Sequence, residues 1–176
     1  MLDGAAQKRQ AVIDRINFDV YGLDKSWTGH RWMSGHGTSY GALSSVTMTF
    51  GRHHVDGSAY LEIRTSRDPQ LARADLAARL ARRLLADRAQ HSPAIGATFD
   101  PDGNPTDSWS PQVFDVEGRA VEGLQLVGDG DASWVAIVDA PDAAIGLYAR
   151  AIGPADCHLT TIADFDRYLD GRWIDE

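Results

Sequence analysis

The sequence predicts an α+β fold: one twisted, mainly antiparallel sheet of about six strands, with two or three helices packed on one face. Three observations carry this expectation. Apolar residues alternate with polar ones in several short stretches, the period-two mark of half-buried strands. Turn residues stand between successive stretches, so neighbours are expected to pair as hairpins. Helical periodicity is confined to three segments, and nothing repeats the strand–helix alternation of a parallel sheet.

Residues 4–21 read as the first helix, because Val12, Ile13, Ile16 and Val20 recur on one face at a period of 3.6, and Gly22 is a plausible stop. Residues 22–42 hold five glycines, two tryptophans and two histidines without a period, and are expected to form an ordered, irregular loop. In "VTMTF", Val46, Met48 and Phe50 alternate with threonines; in "AYLEIRT", Ala59, Leu61 and Ile63 alternate with Tyr60, Glu62 and Arg64. Asp56-Gly57 between them supplies turn chemistry, so the two form a hairpin.

Asp68-Pro69 opens the second helix: aspartate is a good N-cap, and proline in the first turn sacrifices no needed N–H. It runs to about residue 90, with Leu76, Ala77, Leu80, Ala81, Leu84 and Leu85 as its apolar stripe and Arg79, Arg82 and Arg83 opposite, beside Asp75. Residues 91–111, with four prolines, are a long connection. Neither half alone would bury much, so residues 1–176 are expected to form one domain. The last third reads as a meander of four strands. It turns at Glu117-Gly118, passes "DGD", continues in the nearly unbroken apolar run "SWVAIVDA", and turns again at Pro141-Asp142 into "AIGLYARAI". A final helix starts at Thr161 with Asp164 three residues on, sets Ile162, Phe165 and Leu169 on one face, and ends at Gly171.

Composition limits the function classes. The charged N-terminus lacks an apolar secretory core, no long apolar run suits a membrane span, and the single cysteine, Cys157, cannot form an internal disulfide. A soluble, cytoplasmic protein of the bacterial type is the expectation. The net charge of -8 is uneven: residues 1–63 balance, residues 64–96 carry +4, and residues 97–176 carry -12. So acidic a second half repels nucleic acid and anionic lipid and steers in a basic partner.

The motif "GTSYG", residues 37–41, matches G-x-S-x-G, which in one hydrolase class holds a nucleophilic serine on a strand-to-helix elbow. Asp139 and His158 follow Ser39 in the order that class uses. The flanks argue for a glycine-rich loop instead. No hydrophobic strand precedes Ser39, and a strand pattern, not a helix, follows it. Metal binding is not expected either. His30, His36, His53, His54 and Asp56 match no zinc spacing. "DPDGNPTD", with Asp100, Asp102, Asn104 and Asp107, fails the calcium-loop spacing and reads as turns. No cofactor is implied. The arginines of the second helix read as a solvated face, paired in part with acids of the second half.

The expected binding surface is the aromatic loop: Trp27, His30, Arg31, Trp32, His36 and Tyr40 are residue types that anchor interfaces. The functional expectation is a non-enzymatic binding protein recognising a protein partner, with charge suited to an inhibitor- or immunity-like role against a basic one. Two alternatives stand beside it. One is a small hydrolase using Ser39 or a histidine cluster; the other is a small-ligand binder with the ligand held between sheet and loop.

Overall fold

Period-two patterning builds most of this molecule, and it extends further than the sequence alone suggests. The computed structural model describes residues 4–24, 31–37, 41–52, 57–87, 109–128 and 133–169. The strands are β1 (Tyr21–Leu23), β2 (Arg31–Gly37), β3 (Leu43–Gly51), β4 (Tyr60–Ser66), β5 (Ser110–Val116), β6 (Arg119–Val127), β7 (Ser133–Ala140), β8 (Ala143–Arg150) and β9 (His158–Thr161). The helices are α1 (Gly4–Ile13), α2 (Pro69–Asp87) and α3 (Phe165–Leu169).

All nine strands form one sheet in the order β1-β9-β5-β6-β7-β8-β4-β3-β2. Every neighbouring pair is antiparallel except β5–β9. The sheet curls strongly into a half-barrel. The curl carries β1 over towards β4, where the Tyr21 backbone N–H donates to the Thr65 hydroxyl at 3.0 Å.

The curl gives the sheet two different faces. The inner face is a continuous apolar core: Met33, Val46, Met48, Phe50, Leu61, Ile63, Phe114, Trp134 and Leu147 are buried together. Val12 and Ile13 of α1 and Phe165 of α3 pack onto it. The outer face holds a second cluster, where Leu76, Ala77, Leu80, Ala81 and Leu84 of α2 cover Val135, Ile137, Ala144 and Tyr148. The apolar stripe expected of the second helix is therefore its packing face.

Several expectations need correction. The sheet has nine strands rather than about six; β1, β2 and β9 were not legible as strands. β1 and β9 span only three and four residues. β2, "RWMSGHG", buries one side chain fully, Met33, so its alternation is masked by glycines and polar residues. The helices lie on both faces rather than one, with α2 outside and α1 and α3 inside.

The first helix stops at Ile13, not near residue 21, because Val20 and Tyr21 reach the inner core from extended chain leading into β1. Its expected apolar face still meets that core. The last helix begins at Phe165, since Thr161 ends β9; Asp164 is its cap, its carboxylate accepting the Arg167 backbone N–H at 3.0 Å. Residues 110 and 111, assigned to the long connection, open β5; most of that connection, with Gly171 and Asp56, lies outside the described residues.

The Glu117-Gly118 turn is as expected. Both residues have positive φ, 55° and 74°, the backbone that joins two twisted strands through two residues. The Glu117 carboxylate then accepts the Thr161 backbone N–H at 2.8 Å and ties this turn to the end of β9.

Candidate functional site

Where the half-barrel curls round, the early strands β1 and β2 meet β9 and α3 from the far end of the described chain. β1 pairs with β9, and β9 leads into α3. Tyr168 of α3 folds back on β1, and its hydroxyl donates to the Leu23 carbonyl at 2.7 Å. Gly22 makes this approach possible: a Cβ there would stand 2.8 Å from Tyr168 Cζ. Burial pushes the Tyr168 phenol pKa upward, so it stays a neutral donor at ordinary pH.

Arg31, first residue of β2, approaches from the other side. Its Nη1 donates to the Tyr168 carbonyl at 2.8 Å, and its guanidinium lies 5.2 Å from the Tyr168 ring centroid, a cation–π contact. Between these elements runs an open groove of about 770 Å³. Leu23 and Ile162 give it apolar walls, and Asp24, Asp164, Arg31 and Arg167 place charges around them. Such a volume is in the range of ligand sites, and carboxylates beside apolar walls suit a cationic group on an apolar stem.

Of the residues expected to bind, Trp27, His30 and Tyr40 lie outside the described residues, as does Ser39. Arg31, Trp32 and His36 belong to β2, so the irregular loop expected over 22–42 is strand at 31–37. Strand geometry separates them, because successive side chains leave opposite faces. Arg31 stands opposite Phe50 and points with it to the inner side. Trp32 stands opposite Thr49 and packs against the outer cluster. His36 stands opposite Ser45, also outside. Of these three, Arg31 is the one that lines the groove.

The groove residues the sequence reading missed are Asp24, Asp164, Arg167 and Tyr168. No local signal marks them: 137 positions separate Arg31 from Tyr168.

Asp139 and His158 are not brought together. β5 and β6 lie between their strands, and each has another partner. Asp139 forms an ion pair with Arg73 of α2 at 2.6 Å. His158 Nδ1 lies 2.8 Å from the Asp115 carboxylate, and this hydrogen bond holds the imidazole pKa above its ordinary value. Cys157 is buried; burial pushes its thiol pKa up to about 12, which keeps it protonated. Among the described residues no group of three histidine, cysteine or acidic side chains is arranged to hold a metal, and no helix is long and apolar enough to cross a membrane. Comparison with known protein families, with curated proteins and with solved structures gives no match.

Proposed function

We propose that this chain is a non-enzymatic binding protein that takes a basic segment of a protein partner into the groove between β1, β9 and α3. The observation that carries the reading is apolar walls, Leu23 and Ile162, beside the carboxylates of Asp24 and Asp164 in one open groove that Arg31 and Arg167 also line, Arg31 being engaged with Tyr168. A lysine or arginine laid there would bury its methylenes against the walls and bring its charge to the acids. The net charge of -12 over residues 97–176 adds long-range attraction for such a partner. An inhibitor- or immunity-like role follows if the partner is itself a toxic or catalytic basic protein.

The test is native mass spectrometry of the protein purified gently from its source, wild type beside Asp24→Lys. The expected result is a co-purifying basic protein that dissociates with salt and is lost on charge reversal. A partner retained equally by Asp24→Lys, or none at all, overturns the reading. The groove volume also favours a second reading, a small cationic ligand, which would show as a small added mass and a ligand-dependent rise in melting temperature.

A further inference from the structure

Outside the half-barrel, α2 lies over β7 and β8, and its charged flank faces the neighbouring strand β4. β4 presents Glu62 and Arg64, two residues apart and so about 6.6 Å along a strand. α2 presents Arg83 and Arg79, four residues apart and so about 6 Å along a helix. At the first position the charges oppose. Arg83 Nη2 lies 2.6 Å from the Glu62 carboxylate, which also accepts the Tyr60 hydroxyl. The second position sets like against like: Arg64 on the strand and Arg79 on the helix, whose charge acts on Arg64.

Arg64 is only partly exposed. Its hydrogen-bond partner is the Ser45 hydroxyl, 3.3 Å from both Nε and Nη2, and among the described residues no carboxylate forms an ion pair with it. Arg79 is held through Nε by Asp75 of its own helix at 2.7 Å. β2 adds His36, whose position opposite Ser45 sets it on the same outer face; its Nε2 lies 3.4 Å from the Ser34 hydroxyl. The Arg64 guanidinium, the His36 imidazole and the Ser34 and Ser45 hydroxyls share this corner, Arg79 stands one helical turn before Arg83 on the helix beside it, and Asp75 is the acid that offsets them alongside the already paired Glu62. Like charges brought close together are costly unless a counter-charge answers them.

We propose that this corner between β2, β4 and α2 binds the phosphate group of a small phosphorylated ligand. A tetrahedral dianion matches two guanidinium groups and an imidazole better than a singly charged carboxylate does. Guanidinium forks and hydroxyls supply the directed donors it needs. The site lies at the far end of β2 from Arg31 and on the other face, so it stands or fails independently of the groove.

The titration state of His36 provides an internal reporter. Burial, Arg64 and Arg79 hold its pKa below the ordinary value. Asp75 and Glu62 act in the opposite sense on Arg64, whose own pKa is lowered by burial and by Arg79. A bound dianion offsets the repulsion of the two arginines and favours the imidazolium, so phosphate raises the His36 titration midpoint.

The experiment follows the His36 ring and Arg64 Nε–H signals by NMR during titration with inorganic phosphate, and separately with acetate at the same ionic strength. The expected result is a saturable shift with phosphate, an upward move of the His36 midpoint, and at least tenfold weaker binding of acetate. Arg64→Gln abolishes the response. Because Arg64 lies within the sheet, Arg79→Gln, at an exposed helix position, is the second variant; it keeps the fold by circular dichroism and weakens phosphate at least fivefold. A linear, unsaturable response, equal binding of acetate, or undiminished binding in the folded Arg79→Gln variant overturns the proposal.

Discussion

The two faces of the sheet are organised by different physics. The inner face is apolar over its core and wraps around it by curling, so that Met33, Phe50 and Leu147 lose all contact with water. The outer face has its apolar cluster under α2; beyond the helix, β2–β4 present Ser34, His36, Thr47 and Arg64. The inner face therefore carries stability, and the outer face beyond α2 leaves room for chemistry. One strand serves both, since alternation sends half of each strand to either side.

The sharpest way to break this division is Phe114→Ala. Phe114 is fully buried on the inner face, 6.0 Å from the Trp134 ring. Truncation costs about 3–5 kcal/mol, seen as a lower denaturation midpoint. Thr47→Val, on the outer polar face, should change stability by no more than about 0.5 kcal/mol. Comparable losses from the two would end the distinction.

Glu62→Gln probes a half-buried charge that the outer face commits to structure. It weakens the bond to Arg83 and alters the acceptor of Tyr60, at a cost of about 1–3 kcal/mol. A double-mutant cycle of Glu62 with Arg83 should give a larger coupling than the cycle of Asp75 with Arg79, an exposed i,i+4 pair worth about 0.3–0.5 kcal/mol. Equal couplings would mean that burial of Glu62 contributes nothing.

Gly118→Ala tests the turn that sets the β5–β6 register. At φ 74° an alanine carries a Cβ in the left-handed region, which costs about 1 kcal/mol. The loss should appear in urea unfolding with an unchanged slope.

The smallest effect belongs to His158, at the exposed edge of the outer face. Its folded pKa is raised, first by the hydrogen bond to Asp115. The pair therefore stabilises the fold fully below the unfolded value of 6.5 and loses that contribution as pH rises through the higher folded value. Asp115→Asn should return the NMR midpoint of His158 towards 6.5 and flatten this part of the pH dependence. A midpoint unmoved by the substitution would remove the Asp115 bond as its cause.

Strands with a strong period were legible in the residues: Val46, Met48 and Phe50, or Leu61 and Ile63, leave little choice of face. The stripe of α2 was legible for the same reason. β2 was not, because Gly35, Gly37, Ser34 and His36 dilute its single buried Met33. It becomes a strand through seven residue pairs with β3. Arg31 drew notice for its residue type among aromatics, yet its partners are Tyr168 and the groove rather than its neighbours in sequence.

By itself, then, the sequence determined the local periods, the turn at Glu117-Gly118, the packing stripe of α2 and the acidic field of the second half, since each depends on residues close in the chain or on a sum over it. Only the tertiary structure decided the curl of the sheet and the meeting of Arg31 with Tyr168. Those contacts join elements far apart in sequence, and they form only because closing the inner core brings their strands and helices together.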